Sequence, residues 1–147
     1  MRNNCRSMLA ATIFFAAASW AQNLPEVPDG AQALSLTGQP LYAAAPAQGA
    51  LGRLATARAD YDSDPSDADN IIWYGRRTAY TGDYRGAIEI FSEGIETHPL
   101  DARMYRHRGH RYVSIREFDR AIQDLEQAAE LIEGTDNEVE PDGLPNA

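Results

Sequence analysis

Apolar residues at helical spacing mark the segment 84–97 as an amphipathic helix. The residues that share its apolar face are Tyr84, Ile88, Phe91 and Ile95. Asp83 stands directly before the segment, where its carboxylate can accept hydrogen bonds from the free N–H groups of the first turn. Pro99 ends it, because a proline disfavours helical geometry in the residue that precedes it.

The same kind of pattern predicts four more helices. Their ranges are 51–64, 68–81, 102–115 and 117–134. Asp67 and Asp101 occupy the N-cap position before the helices 68–81 and 102–115. Gly82 supplies a residue that can end a helix in the left-handed conformation at little cost. The predicted fold class is therefore all-α.

The helices recur with one fixed offset along the chain. Pro65-Ser66-Asp67-Ala68 returns as Pro99-Leu100-Asp101-Ala102, and Gly75 returns as Gly109 at the same offset. Self-similarity at one period is typical of stacked helical hairpins. We therefore predict two full repeats over residues 68–134. The helix 51–64 takes the place of the second helix of an earlier repeat and caps the stack.

The N-terminus has the pattern of a secretory signal peptide. Residues 1–21 combine a basic start, an apolar run and small residues before Gln22. The apolar run is shorter than the roughly 20 residues that a membrane anchor needs. We expect an exported protein that touches a membrane only transiently through this segment. Cys5 leaves with it, and an exported chain without disulfides favours a bacterial periplasm or exterior.

Two segments outside the helices have compositions of their own. Residues 22–50 are rich in Ala and Pro, and we predict an irregular linker whose short apolar patches dock onto the first helix. Residues 135–147 are acidic and contain Pro141 and Pro145, so we predict an exposed tail or connector.

Charge is distributed unevenly along the chain. The chain has 13 basic and 22 acidic residues and a formal net charge of −9. This acidic balance argues against nucleic-acid binding, which needs a positively charged surface. No acid lies between Asp101 and Glu117, however, so the helix 102–115 is strongly basic.

The repeat resembles the tetratricopeptide repeat, a 34-residue helix–turn–helix. The matching residues are Gly75, Gly82, Asp83, Tyr84, Ala87, Phe91 and Pro99 in the first repeat, and Tyr105, Gly109, Tyr112, Phe118, Ala121, Leu125 and Ala128 in the second. The chain is similar to uncharacterised exported bacterial members of that class. The resemblance implies a protein-interaction module that uses a concave face lined by the first helix of each repeat.

Two positions depart from the family pattern. Arg108 precedes Gly109 where an aliphatic residue is usual, and an unpaired charge there is costly to bury. We expect Arg108 to find a carboxylate partner or to extend its head to the edge. Arg116 stands where the first repeat has Gly82.

The resemblance assigns the concave face to a set of aromatic and basic residues. The candidate partner-binding residues are Trp73, Arg76, Tyr80, Arg103, Arg106, His107 and His110. Arginine binds carboxylates through two parallel hydrogen bonds, and neighbouring rings add contact area. The hypothesis is a groove for a protein or peptide partner with an acidic segment.

Two other functions remain open on the sequence. The arginines could serve internal ion pairs with carboxylates such as Glu89, Glu93, Asp124 and Glu126, in a structural or accessory domain of a longer exported protein. The chain could also be a fragment of an enzyme whose catalytic part lies elsewhere.

No catalytic, cofactor or metal site is predicted. His107 and His110 are three residues apart on one helix, but no carboxylate lies four residues from either of them. The sequence has no nucleophile–histidine–acid spacing, no glycine-rich phosphate loop and no zinc-protease motif. We therefore expect a protein that is not an enzyme and binds no cofactor.

Overall fold

The computed structural model describes residues 26–134 of the 147-residue chain. The predicted signal peptide at 1–21, the first residues of the linker and the acidic tail at 135–147 lie outside the described residues. Across residues 26–134, none of the helices combines the length and the apolar character that a membrane crossing requires.

Within the described residues, five helices follow a short hairpin. The elements are β1 Ala33–Leu34, β2 Pro40–Leu41, α1 Ala50–Ser63, α2 Ala68–Ala79, α3 Tyr84–Thr97, α4 Ala102–Ser114 and α5 Phe118–Ile132. Each helix packs against the next one in the chain, and α2 also contacts α4. The prediction of an all-α, tetratricopeptide-like fold is confirmed. The first helices of the two repeats, α2 and α4, lie side by side.

Aspartates begin three of the helices as the sequence predicted. The Asp67 carboxylate accepts the backbone N–H of Asn70 at 2.8 Å, and that of Asp83 accepts the N–H of Gly86 at 2.9 Å. Asp101 accepts the N–H of Arg103 at 2.9 Å. Each bond satisfies a donor that the first turn of a helix leaves without an intrahelical partner.

The predicted linker at 22–50 contains, in its described residues 26–50, a short hairpin that was not predicted. β1 and β2 pair in antiparallel register, with Ala33 opposite Leu41. The hairpin approaches the start of α3, where the Arg85 guanidinium donates to the carbonyl oxygen of Gln32 at 3.2 Å. Two-residue strands are too short to give a period in the sequence, which is why the pairing was not predicted.

Glycines allow the paired helices of each repeat to approach closely. A Cβ at Gly75 would lie 2.5 Å from the Phe91 ring, and a Cβ at Gly109 would lie 3.0 Å from Leu125 Cγ. The larger core cluster gathers buried residues from α2, α3 and α4, including Ile72, Phe91 and Met104. Because Met104 belongs to the second repeat, this cluster joins both repeats.

Candidate binding site

Trp73 and Tyr80 lie at α2 beside arginine side chains. The guanidinium carbon of Arg76 is 4.5 Å from the centroid of the Trp73 ring, and that of Arg77 is 4.3 Å from it. Arg77 also lies 5.7 Å from the Tyr80 ring, which is 48% exposed. Cations at these distances are attracted to the ring faces. The side chain of Arg77 is thus held between two aromatic rings.

Arg103 belongs to the internal structure of the stack. Its guanidinium donates to Asp101 at 2.7 Å and to Asp69 of the preceding repeat at 2.8 Å. Hydrogen bonds to Asp101 are the main reason that the pKa of Arg103 is raised above its usual value. Its side chain is only 12% exposed, so two carboxylates already neutralise this predicted binding residue.

The other predicted residues of α4 lie in different environments. The His107 ring stacks on Phe91 of α3, with ring centroids 5.5 Å apart. Arg106 Nη2 is 3.5 Å from His107 Nε2, while His110 is exposed. In the described part of the chain, no group of three His, Cys, Asp or Glu side chains is arranged to hold a metal ion.

Arg108 has the carboxylate partner that the sequence analysis expected. Its Nε and Nη2 donate to the two oxygens of Asp124 on α5, both at 2.7 Å, and Nη1 donates to Ser92 Oγ at 3.1 Å. The hydrogen bonds to Asp124 raise the pKa of Arg108. Asp124 is 6% exposed, so this pair joins α4 to α5 away from solvent.

A pocket that the sequence analysis missed lies beside Tyr80. Its volume is about 620 Å³. We call it the arginine pocket, and its lining residues are Arg53, Arg77, Arg111, Tyr80, Tyr84, Ala44, Ala45, Ala47, Ala50, Ala79 and Gly82. A smaller depression of about 230 Å³ shares Arg53 and Arg77 with it and is also lined by Asp60 and Trp73. Tyr80, which was predicted, thus shares a pocket with three arginines that were not, and the predicted Trp73 contacts one of them, Arg77.

The arginine pocket has three arginines in its lining and no carboxylate, although Asp60 lines the neighbouring depression together with Arg53 and Arg77. None of its lining residues is acidic, and within residues 26–134 no ion pair forms at Arg53, Arg77 or Arg111. Burial is the main cause that lowers the pKa of Arg111, and the nearby Arg76 lowers it further. Both effects disfavour the charged form of Arg111, and an anion beside it would favour that form again.

One signal in the sequence pointed to this pocket. Arg77 and Arg111 are separated by one repeat period and hold equivalent positions in the two repeats. The third arginine, Arg53, comes from α1, and the alanine wall comes from the segment 44–50. The repeat pattern does not specify where that segment lies against the helices.

Comparison with known proteins adds little to this geometry. No family model matches the sequence, and no curated protein matches it. A solved structure titled "MamA MSR-1 C2" is similar with 17% sequence identity and a TM-score of 0.48. The match covers 57% of this chain and 53% of that one, so this chain spans about half of its length. The fold assignment rests on the helices of residues 50–132 and on their recurring offset.

Proposed function

We propose that this chain is a protein-interaction module that binds an acidic segment of a partner protein on the face shared by α2 and α4. Stacked helical repeats of this kind generally serve protein interactions, because neighbouring repeats join their helices into one extended surface. No catalytic activity is proposed. The partner would be a protein or peptide, and not a nucleic acid.

The observation that carries this proposal is the charge of α4. The helix contains four arginines and no acid, in a chain whose net charge is −9. Arg103 and Arg108 bond aspartates of the stack, whereas the exposed His110 adds a further basic group on the same helix. His110, Arg106 and the rings of α2 together suit an acidic peptide.

The test compares peptide binding by two charge variants. The probe is a fluorescein-labelled glutamate-rich peptide, and the same peptide with glutamines is the neutral reference. We expect the Arg106→Gln/His110→Gln protein to bind the acidic probe more weakly in a fluorescence anisotropy titration. Arg120→Gln is the control, because Arg120 is 64% exposed on α5 and bonds Glu117. Equal affinity for both peptides would contradict the proposal.

A structural role is the second candidate function, and specific ion pairs favour it. Arg103 ties α4 to Asp69 of α2, and Arg108 ties it to Asp124 of α5. In that case the chain would be an accessory domain of a longer exported protein. Arg106→Gln/His110→Gln would then leave every peptide affinity unchanged, and the arginine content would matter only for the free energy of unfolding.

Export is a separate part of the proposal and rests on the sequence of residues 1–21. We expect the protein recovered from a bacterial envelope fraction to begin at Gln22. Mass spectrometry of the N-terminal peptide measures this directly. A protein that retains Met1 and stays with the cytoplasmic fraction would contradict it.

A further inference from the structure

The arginine pocket combines three cationic heads with an apolar wall. Arg53, Arg77 and Arg111 come from α1, α2 and α4, so three separate helices converge on one space. The apolar part of the lining consists of alanines from the segment 44–50 and Ala79. Its volume of about 620 Å³ falls in the range of small-molecule pockets, roughly 300 to 1,000 Å³.

Two of the three arginines are positioned by aromatic rings before any ligand arrives. Arg77 is held between the Trp73 and Tyr80 rings at 4.3 and 5.7 Å, and Arg111 lies 5.8 Å from the Tyr84 ring. A guanidinium that stacks on a ring keeps its N–H groups available in the plane of the fork. The ring contacts therefore hold Arg77 and Arg111 without using the donors that would bind an oxyanion, whereas Arg53 is exposed.

We infer that the arginine pocket binds a small organic anion, with its oxyanion head among Arg53, Arg77 and Arg111 and its apolar body against the alanine wall. The geometry suits a phosphate or a carboxylate head, since a guanidinium fork fits either group. An inorganic ion alone would leave the alanine wall and the tyrosine rings without contacts. This ligand is distinct from the partner segment of the proposed function.

The test titrates the full chain with phenyl phosphate, benzoate and neutral benzamide by calorimetry. We expect phenyl phosphate or benzoate to bind and benzamide not to bind, and the stronger of the two anions identifies the head. Inorganic phosphate should bind more weakly than phenyl phosphate. No binding of either aromatic anion, or benzamide binding as tightly as they do, would overturn the inference.

Substitutions then locate the site. In the R53Q/R111Q protein the affinity for the aromatic anion should fall roughly tenfold or more, because charge-assisted hydrogen bonds are lost. R120Q removes the same kind of charge on α5 and should leave the affinity unchanged. An affinity in R53Q/R111Q equal to that of the unsubstituted chain would overturn the assignment. R53Q alone should also weaken binding, and because Arg53 is exposed it serves if the double variant fails to fold.

Trp73 gives a second readout that is local to the site. The chain has two tryptophans, so in a W20F background Trp73 is the only one left. An anion that draws on Arg77 should change the Trp73 emission, whereas R53Q/R111Q should remove that change. The peptide test uses Arg106 and His110 instead, so the failure of one site is distinguishable from the failure of the other.

Discussion

The two repeats have the same arrangement of helices, but at one pair of equivalent positions one repeat has charged side chains and the other has uncharged ones. Where repeat two has Arg108 and Asp124, repeat one has Tyr74 and Ile90. Arg108 and Asp124 form two hydrogen bonds of 2.7 Å. Tyr74 instead stacks on Tyr61 of α1, with ring centroids 5.1 Å apart. The repeat backbone therefore accepts an apolar residue or a charge at this place, as long as a neighbour complements it.

The largest expected effect comes from breaking the buried ion pair of repeat two. Asp124 is only 6% exposed, and Arg108→Met removes the cation that its carboxylate bonds. An uncompensated buried charge costs about 3 to 5 kcal/mol. We expect the free energy of unfolding, measured by urea titration, to fall by that amount.

Transplanting the pair from repeat one sharpens this test. Arg108→Tyr/Asp124→Ile introduces the repeat-one residues, and we expect it to recover most of the loss because no charge remains buried. Arg120→Met is the exposed control and should cost less than about 1 kcal/mol. If the double variant is as unstable as Arg108→Met, the two repeats are not interchangeable at this place.

The next largest effect is expected at the glycines where the paired helices of each repeat approach closely. A Cβ at Gly75 would lie within 2.9 Å of three atoms of the Phe91 ring, which is 1% exposed. We expect Gly75→Ala to lower the free energy of unfolding by about 1 to 3 kcal/mol through overpacking. Gly109→Ala should cost less, because the nearest atom is in the flexible side chain of Leu125, at 3.0 Å.

A compensating substitution checks the cause. Phe91→Leu should cost less in the Gly75→Ala protein than in the unsubstituted protein, since the smaller side chain makes room for the added methyl group. Additive losses in the urea titrations would show that the ring contact is not responsible.

The turns between the paired helices differ in a smaller way. Arg116 has φ 63° and closes α4 through hydrogen bonds from Arg116 N to Val113 O and from Glu117 N to Tyr112 O, 3.1 and 2.9 Å long. Glycine prefers this left-handed conformation, as at Gly82 in repeat one. We expect Arg116→Gly to raise the melting temperature, by an amount that corresponds to roughly 1 kcal/mol.

The matched substitution in repeat one should change the melting temperature in the opposite direction. Gly82 has φ 90°, and a Cβ there would lie 2.6 Å from the Cβ of Ala43. Gly82→Ala is therefore expected to lower the melting temperature. A rise in both proteins would mean that left-handed strain does not control these turns.

Much of this fold could be predicted because the repeat pattern is local. The recurring offset, the aspartate caps and the apolar faces each act within one or two helices. The need of Arg108 for a carboxylate also followed from its position beside Gly109, and Asp124 was among the candidates. These features depend on short-range geometry that the sequence encodes directly.

The arginine pocket could not be predicted in the same way. Its arginines lie on three helices, and its alanine wall is a segment without periodicity. The carboxylates that bond Arg103 were also not among those expected. One of them, Asp69, occupies in repeat one the position that Arg103 occupies in repeat two. Opposite charges at equivalent positions of adjacent repeats were the signal for that pair.

The smallest expected effect concerns this bridge between the repeats. Asp69 is 55% exposed and lies 2.8 Å from Arg103 Nη1, so solvent and salt screen the pair. We expect Asp69→Asn to lower the free energy of unfolding by less than about 1 kcal/mol, and by still less in high salt. Asp101→Asn should cost more, because Asp101 is only 11% exposed and bonds the same guanidinium. Urea titrations at low and high salt measure both losses. If Asp69→Asn proves the more harmful, the exposed contact between the repeats contributes more than the buried one.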